Sequence, residues 1–112
     1  MRIAPEGGLY KTAVDDAPSP VALRLAQNSP NPFNPSTRVE FSLPRSGRAR
    51  LDIFDAQGKW VDGLLNEERG PGQHSVVWHG TDSSGRNLPS GIYFCRLDAL
   101  GRTLTRKMVL IK

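Results

Sequence analysis

The sequence has no long apolar run, and its 112 residues include a single cysteine. No stretch approaches the roughly 20 apolar residues of a transmembrane helix. No apolar segment follows Met1–Pro5 as it does in a secretory signal peptide, so we expect an exported form to belong to a longer precursor. The lone Cys95 excludes an intrachain disulfide, and we expect it to be a small buried hydrophobe in a core that folds without such a staple.

The sequence also lacks the patterns that accompany catalysis, metal binding and nucleic-acid binding. Fifteen basic against eleven acidic residues give a net charge of +4, but the basic residues are scattered singly, which favours a solvated surface over nucleic-acid binding. His74 and His79 have no further suitable ligands nearby, so no metal site is predicted. No glycine-rich phosphate loop or nucleophile elbow is present. We therefore predict no catalytic residues and no cofactor, and we expect the chain not to be an enzyme.

Glycine and proline recur at near-regular intervals along the chain. Eleven glycines and nine prolines are typical of short strands joined by tight turns. Alternating apolar and polar residues predict a short edge strand at Leu23–Leu25 and six further strands. These are Arg38–Leu43, Ala49–Phe54, Lys59–Leu65, His74–Trp78, Ile92–Asp98 and Thr103–Ile111. Without a helical period between them, they predict an all-β antiparallel sandwich of about seven strands.

Local signals refine this prediction. Tyr93 lies two residues before Cys95 in a late strand, which favours an Ig-like topology with a tyrosine corner, where the hydroxyl binds upstream backbone. The alternative is that Tyr93 is a plain core aromatic. Asp55 and Asp82 each begin a four-residue turn that ends in glycine, and we expect their carboxylates to accept backbone hydrogen bonds.

The segment Gln27–Thr37 is the most distinctive part of the chain. Three prolines and three asparagines lie close together in it, around Phe33, and this density of proline predicts a rigid, turn-rich connection. A structural interpretation is that Asn31 and Asn34 cap turns while Phe33 plugs the open end of the sandwich. A functional interpretation is a rigid recognition surface that loses little entropy on docking. The two interpretations are compatible.

The end of the chain is the second candidate for recognition. Residues 105–112 are apolar on both faces between basic residues, and such a strand is either central in a sheet or partly exposed for a partner. A receptor could bind it by strand addition. The simpler interpretation is that it only closes the fold.

Together, the pattern Q-N-x-P-N-P-F-N-P-S-T, the alternating strand that ends in Leu43-Pro44 and the terminal basic-apolar run resemble a known family over residues 23–112. They are similar to the type A C-terminal sorting domains of cargo proteins of the type IX secretion system, and also to the Ig-like domain of flagellar hook-capping proteins. The candidate recognition residues are Asn31, Pro32, Phe33, Asn34, Pro35, Arg106, Lys107, Met108, Val109, Leu110, Ile111 and Lys112.

The resemblance implies a domain at 23–112, preceded by a linker at 1–22 from a covalently attached cargo domain. It implies that the domain targets this cargo through the periplasm for secretion or cell-surface delivery. The implied partners are the outer-membrane export machinery and a sortase-like processing enzyme, which would cut within Ala13 to Ala22.

The alternative function is an Ig-like accessory module, hook-cap-like or adhesive, that binds a protein or glycan partner. Trp60 and Trp78 exposed together on one surface would indicate a glycan platform. We expect Trp78 to lie in the core, while the exposure of Trp60 is open. A purely structural spacer is a third possibility.

Overall fold

The computed structural model describes residues 21–112, so the predicted linker at 1–22 and its predicted cut region lie for the most part outside the described residues. No helix among these residues is long and apolar enough to cross a membrane. Seven strands are present. They are β1 (Arg24–Leu25), β2 (Thr37–Leu43), β3 (Gly47–Asp55), β4 (Trp60–Arg69), β5 (Gly72–Trp78), β6 (Gly91–Ala99) and β7 (Arg102–Leu110).

The strands form two antiparallel sheets. One sheet has three strands in the order β1-β2-β5, and the other has four in the order β4-β3-β6-β7. Successive side chains point to opposite faces of a strand, and one face of each sheet packs on the other sheet. The prediction of an all-β, Ig-like antiparallel sandwich of about seven strands is confirmed.

The core contains the residues that alternation predicts. Val39, Phe41 and Leu43 of the smaller sheet are buried with Leu51 and Ile53 of the larger one. Burial of such side chains stabilises the fold by about 1.5–3 kcal/mol each. The same cluster includes Trp78, Tyr93, Cys95, Leu97, Met108 and Leu110. The predicted core position of Trp78 is therefore confirmed.

Strand β4 departs from its predicted form in two ways. Its pairing with β3 skips a residue at Leu64 and again at Val61, and these bulges explain why its apolar residues do not alternate. The strand also continues past the predicted end at Leu65 as far as Arg69. Residues 66–68 of this extension are exposed, and Arg48 supports it by donating to the backbone and side-chain oxygens of Asn66 at 3.1 and 3.0 Å.

The predicted tyrosine corner is present. The Tyr93 hydroxyl donates to the carbonyl oxygen of Pro89, four residues upstream, at 2.7 Å. The neighbouring Cys95 is buried, and desolvation, with a smaller contribution from the Asp52 carboxylate, raises the pKa of its thiol to about 12. Because the thiolate is the reactive form, this cysteine behaves as the inert core residue that the sequence predicts.

Both aspartate turns also form as predicted. Asp55 Oδ1 accepts hydrogen bonds from the backbone N–H groups of Gln57 and Lys59, each at 2.9 Å. Asp82 Oδ1 accepts from the N–H groups of Ser84 and Arg86 at 2.9 and 3.0 Å. These bonds fix the tips of two connections and place them at the surface.

Candidate recognition surface at the C-terminal edge

Phe33 closes one end of the sandwich. Its side chain is 2% exposed, and its ring centroid lies 5.6 Å from that of Trp78. Trp78 in turn makes an edge-on contact with Tyr93 at 5.5 Å. Aromatic pairs at these distances add about 0.5–1.5 kcal/mol each to their burial. The predicted plugging role of Phe33 is what the structure shows.

Phe33 also holds the end of the chain through its backbone. Its N–H donates to the carbonyl oxygen of Val109 at 3.0 Å, and its carbonyl oxygen accepts from the N–H of Ile111 at 2.9 Å. These two bonds make a parallel bridge between Phe33 and Leu110. The proline-rich segment therefore lies along the outer edge of β7, and the two candidate elements of the sequence form one surface.

Two amide side chains extend this contact. Asn31 Oδ1 accepts from the N–H of Val109 at 2.9 Å, and Gln27 Nε2 donates to the carbonyl oxygen of Lys107 at 2.7 Å. Since β6 pairs with the inner edge of β7, the backbone of residues 107–111 has partners on both sides. We call Asn31–Pro35 the edge segment and Arg106–Lys112 the tail.

The expected turn-capping role of Asn31 is wrong, because its side chain binds the tail. Another asparagine orders the turn: buried Asn28 donates through Nδ2 to the carbonyl oxygen of Pro30 at 3.1 Å and to Thr37 Oγ1 at 2.9 Å. Pro32, Asn34 and Pro35 of the edge segment are exposed. The peptide bonds that precede Pro30, Pro32 and Pro35 are cis.

Gly80 allows the edge segment to approach the loop after β5. Its φ of 70° is in the left-handed region, and a Cβ built there would lie 2.9 Å from the Pro35 carbonyl oxygen. The side chain of Leu110 lies 3.5 Å from the same point. A larger residue would collide with the edge segment, so this position requires glycine.

The side chains of the tail alternate between the core and solvent. Met108 and Leu110 are buried, Val109 is half-buried, and Ile111 is 48% exposed. Arg106, Lys107 and Lys112 are exposed, and Arg106 Nε donates to the carbonyl oxygen of Leu25 at 2.8 Å. The tail belongs to an edge strand of its sheet, and the edge segment takes the place of a neighbouring strand there.

A second surface surrounds Trp60, on the outer face of the larger sheet. Trp60 is 45% exposed, and its indole Nε1–H donates to Asp52 Oδ1 at 2.9 Å. Arg50 Nε lies 2.8 Å from Asp52 Oδ2 as an ion pair without hydrogen-bond alignment. Because Trp78 is buried, the glycan platform of two tryptophans does not form.

The two histidines are used separately. The His74 ring stacks on Phe41 with centroids 5.2 Å apart, and its Nε2 lies 2.8 Å from the Gly70 carbonyl oxygen. His79 Nδ1 lies 3.0 Å from Ser36 Oγ. Within residues 21–112, no group of three or more His, Cys, Asp or Glu side chains is placed to hold a metal ion.

The sandwich, its tyrosine corner and its strand order define an Ig-like domain. The model of the FlgD Ig-like domain family matches residues 16–101, and the chain belongs to that family. The sequence resemblance to the Ig-like domain of flagellar hook-capping proteins is thus confirmed at the level of the family. No curated protein matches the sequence.

Several solved structures, among them the following three, are similar to this chain. Dimeric latent PorU from Porphyromonas gingivalis is 19% identical with a TM-score of 0.63, over 83% of this chain and 10% of that one. PorZ, an essential surface component of the type IX secretion system of P. gingivalis, is 16% identical with a TM-score of 0.54, over 79% and 11%. FlgD from P. aeruginosa is 26% identical with a TM-score of 0.50, over 67% and 59%.

The chain spans about a tenth of the length of the PorU and PorZ chains that it matches. At these identities the likeness to PorU and PorZ shows the fold, which is the same Ig-like sandwich.

Proposed function

We propose that this Ig-like domain targets a larger attached protein for type IX secretion and delivery to the cell surface. The observation that carries the proposal is the contact between the edge segment and the tail. Phe33 and Asn31 hold Val109 and Ile111 in one extended conformation at the end of the sandwich. A fixed tail is a suitable recognition element, because little conformational entropy is lost when a receptor binds it.

Two further points support the proposal. The sequence of the edge segment and the tail resembles that of C-terminal sorting domains. A domain of the same fold also occurs in PorZ, a surface component of the type IX secretion system. The export machinery at the outer membrane is then the first partner, and a sortase-like enzyme that cuts within Ala13 to Ala22 is the second.

The test is delivery of a reporter fused to residues 13–112 in a host that has a type IX system. The same fusion in an otherwise identical host without the system, and the reporter alone in both hosts, are the controls. We expect surface delivery only when the domain and the system are both present. A fusion that is folded but remains in the periplasm of the first host would contradict the proposal.

Deletion of the whole tail would not distinguish loss of the signal from loss of the fold. Met108 and Leu110 are fully buried, so a chain that lacks the tail also lacks part of its core. Losing two such side chains costs several kcal/mol, at about 2–5 kcal/mol each. Retention of that variant would be explained by unfolding alone, and exposed positions of the tail must be changed instead.

The second candidate function is an accessory module that binds a partner without acting as an export signal. Membership of the FlgD Ig-like domain family and the exposed, hydrogen-bonded Trp60 favour it. It predicts that Trp60→Ala weakens partner binding while the reporter fusion stays in the periplasm. Pull-down from the native host with the wild-type and Trp60→Ala domains would detect that partner.

A further inference from the structure

The backbone of the tail is poorly accessible to a receptor. On the outer edge of β7, the N–H and carbonyl groups of Val109 and the N–H of Ile111 are bonded to Asn31 and Phe33. The carbonyl oxygen of Lys107 is bonded to Gln27. Strand addition here would first have to displace the edge segment and pull Phe33 out of the core. The side chains of the tail remain for recognition.

The alternation of side chains along β7 decides which side chains of the tail face solvent. Met108 and Leu110 point into the core, so Lys107 and Val109 face outward, and Ile111 continues this order. Ile92 of β6 lies directly opposite Val109 in the register. Ile92 is 41% exposed and Ile111 is 48% exposed, although both are large and apolar. We call Ile92, Val109 and Ile111 the outer patch.

Two lysines flank the outer patch, whereas the Asp55 carboxylate, which lies near Ile92, accepts hydrogen bonds from its own turn. Lys107 and Lys112 lie on either side of it along the chain, both are exposed, and neither forms an ion pair with another residue of 21–112. The outward-facing acid of β6, Asp98, already pairs with Arg96 at 3.2 Å and accepts from Thr103. A complementary surface therefore has an apolar centre and carboxylates at its rim.

The composition of the patch favours a protein over a glycan. Sugar rings stack on the flat faces of aromatic side chains, whereas the outer patch is made of branched aliphatic ones. Trp60 is exposed on the same sheet, but on the opposite edge strand, β4. An apolar centre with a polar, solvent-accessible rim is the usual anatomy of a protein–protein interface.

We propose that the export machinery binds this domain through the outer patch, with an acidic-rimmed apolar surface that receives Ile92, Val109 and Ile111 and pairs with Lys107 and Lys112. The proposal rests on the sorting function proposed above and specifies how the tail is recognised. The signal is then a folded face that includes Ile92 from a different strand. A receptor that recognised the tail as a linear peptide would be indifferent to Ile92.

The test uses the reporter fusion with Ile92→Ser, and with Ile111→Ser as a second variant outside any strand. The matched control is Val77→Ser on β5, since Val77 is 44% exposed but lies on the other sheet. We expect surface delivery to fall about tenfold or more for the two isoleucine variants, the effect of truncating one of the few residues that carry most of the binding energy. Thermal unfolding of each purified domain checks that the fold is retained.

A charge-reversal variant tests the two lysines that flank the outer patch. Lys107→Glu combined with Lys112→Glu places like charges against the proposed carboxylates, and we expect a further loss of delivery. Lys59→Glu, at the exposed β3–β4 turn, is the control and should be delivered as the wild type is.

The remaining outcomes would contradict either the outer patch or the sorting function. Wild-type delivery of the Ile92→Ser and Ile111→Ser fusions would overturn the outer patch and leave the sorting function intact. Equal losses for Val77→Ser and Ile92→Ser would also overturn it, since exposed apolar area in general would then be the cause. Periplasmic retention of the intact, folded fusion would overturn the sorting function, and with it the partner named here.

Discussion

The two edges of the four-stranded sheet are protected in different ways. At the β4 edge the features are local: two bulges interrupt the pairing with β3, and the strand ends in Glu67, Glu68 and Arg69. The turn at Asp82 is joined to this strand by a backbone bond from the Ser83 N–H to the Val61 carbonyl oxygen, at 2.9 Å. Bulges and charges of this kind are common defences against edge-to-edge aggregation.

The β7 edge is covered by a segment from the other end of the described chain. Asn31 and Val109, which share a hydrogen bond, are separated by 78 positions in the sequence. Local protection of β4 would survive loosening elsewhere, whereas the edge of β7 is protected only while the edge segment is packed. The difference implies that the conformation of the tail depends on the whole sandwich and that the conformation of β4 depends much less on it.

The largest expected effect comes from removing the anchor of the edge segment. Phe33→Ala should lower the free energy of unfolding by about 3–5 kcal/mol, because the ring is buried against Trp78. Urea unfolding followed by tryptophan fluorescence measures this loss. Phe94→Ala, at a half-buried site on β6, is the control and should cost less. Equal losses at the two sites would mean that Phe33 is not a special anchor.

Asn31→Ala should produce a smaller, local effect on the β7 edge. It removes the acceptor of the Val109 N–H, and a hydrogen bond of this kind contributes about 0.5–1.5 kcal/mol. Amide hydrogen exchange should speed up at Val109 while the amides of β4 keep their protection. Asn34→Ala, in the same segment, serves as the control because Asn34 makes none of the bonds to β7 described above. Unchanged exchange at Val109 would contradict the prediction.

Removing charge from the β4 edge tests its local protection. The double variant Glu67→Val and Glu68→Val should increase self-association at a given protein concentration, since an exposed apolar edge pairs with other copies. Sedimentation velocity measures the change. Glu40→Val is the control, because Glu40 is also exposed but lies on β2, a central strand. Increased association in the control as well would assign the effect to added apolar surface and not to the edge.

The smallest effect concerns the turn beside β4 and depends on pH. The Arg86 backbone N–H is the main cause that lowers the pKa of Asp82 below its ordinary value of 3.8, with help from the Ser84 N–H and the Arg86 charge. The folded state therefore binds a proton less readily than the unfolded state. The stabilisation is complete above the unfolded pKa and is lost as the pH falls through the folded pKa.

Asp82→Ala should accordingly be less stable than the wild type at neutral pH, and the two should converge as the pH falls below about 3.8. Asp82→Asn keeps an oxygen acceptor without the charge, so its stability should lie between them at neutral pH. Thermal unfolding between neutral and acidic pH checks both statements. A difference between wild type and Asp82→Ala that stays constant to low pH would contradict them.

Sequence reasoning succeeded where structure is decided locally. Alternation identified the inward residues of β2, β3 and β6, and turn chemistry placed Asp55 and Asp82 correctly. It missed features that depend on contacts across the fold. The bulges at Val61 and Leu64 interrupt the alternation of apolar and polar residues from which strands are predicted.

The sequence predicted the two segments of the candidate site but not the contact between them. Both the edge segment and the tail stood out in the sequence, one by its prolines and the other by its apolar run. Nothing local indicated that Asn31 binds Val109 and not its own turn, because the two are brought together by folding alone. Ile92 was not singled out for the same reason: its exposure beside Val109 depends on the register between β6 and β7.

The bridge between Phe33 and Leu110 has a consequence for quality control. Contacts between distant parts of a chain form late, because the intervening loop must first be closed. The bonds that fix the tail therefore require Phe33 to be packed in the assembled sandwich. Under the proposed sorting function, a partner that binds this shape would bind folded molecules and not incompletely folded ones, so that recognition for export would also select for completed folding.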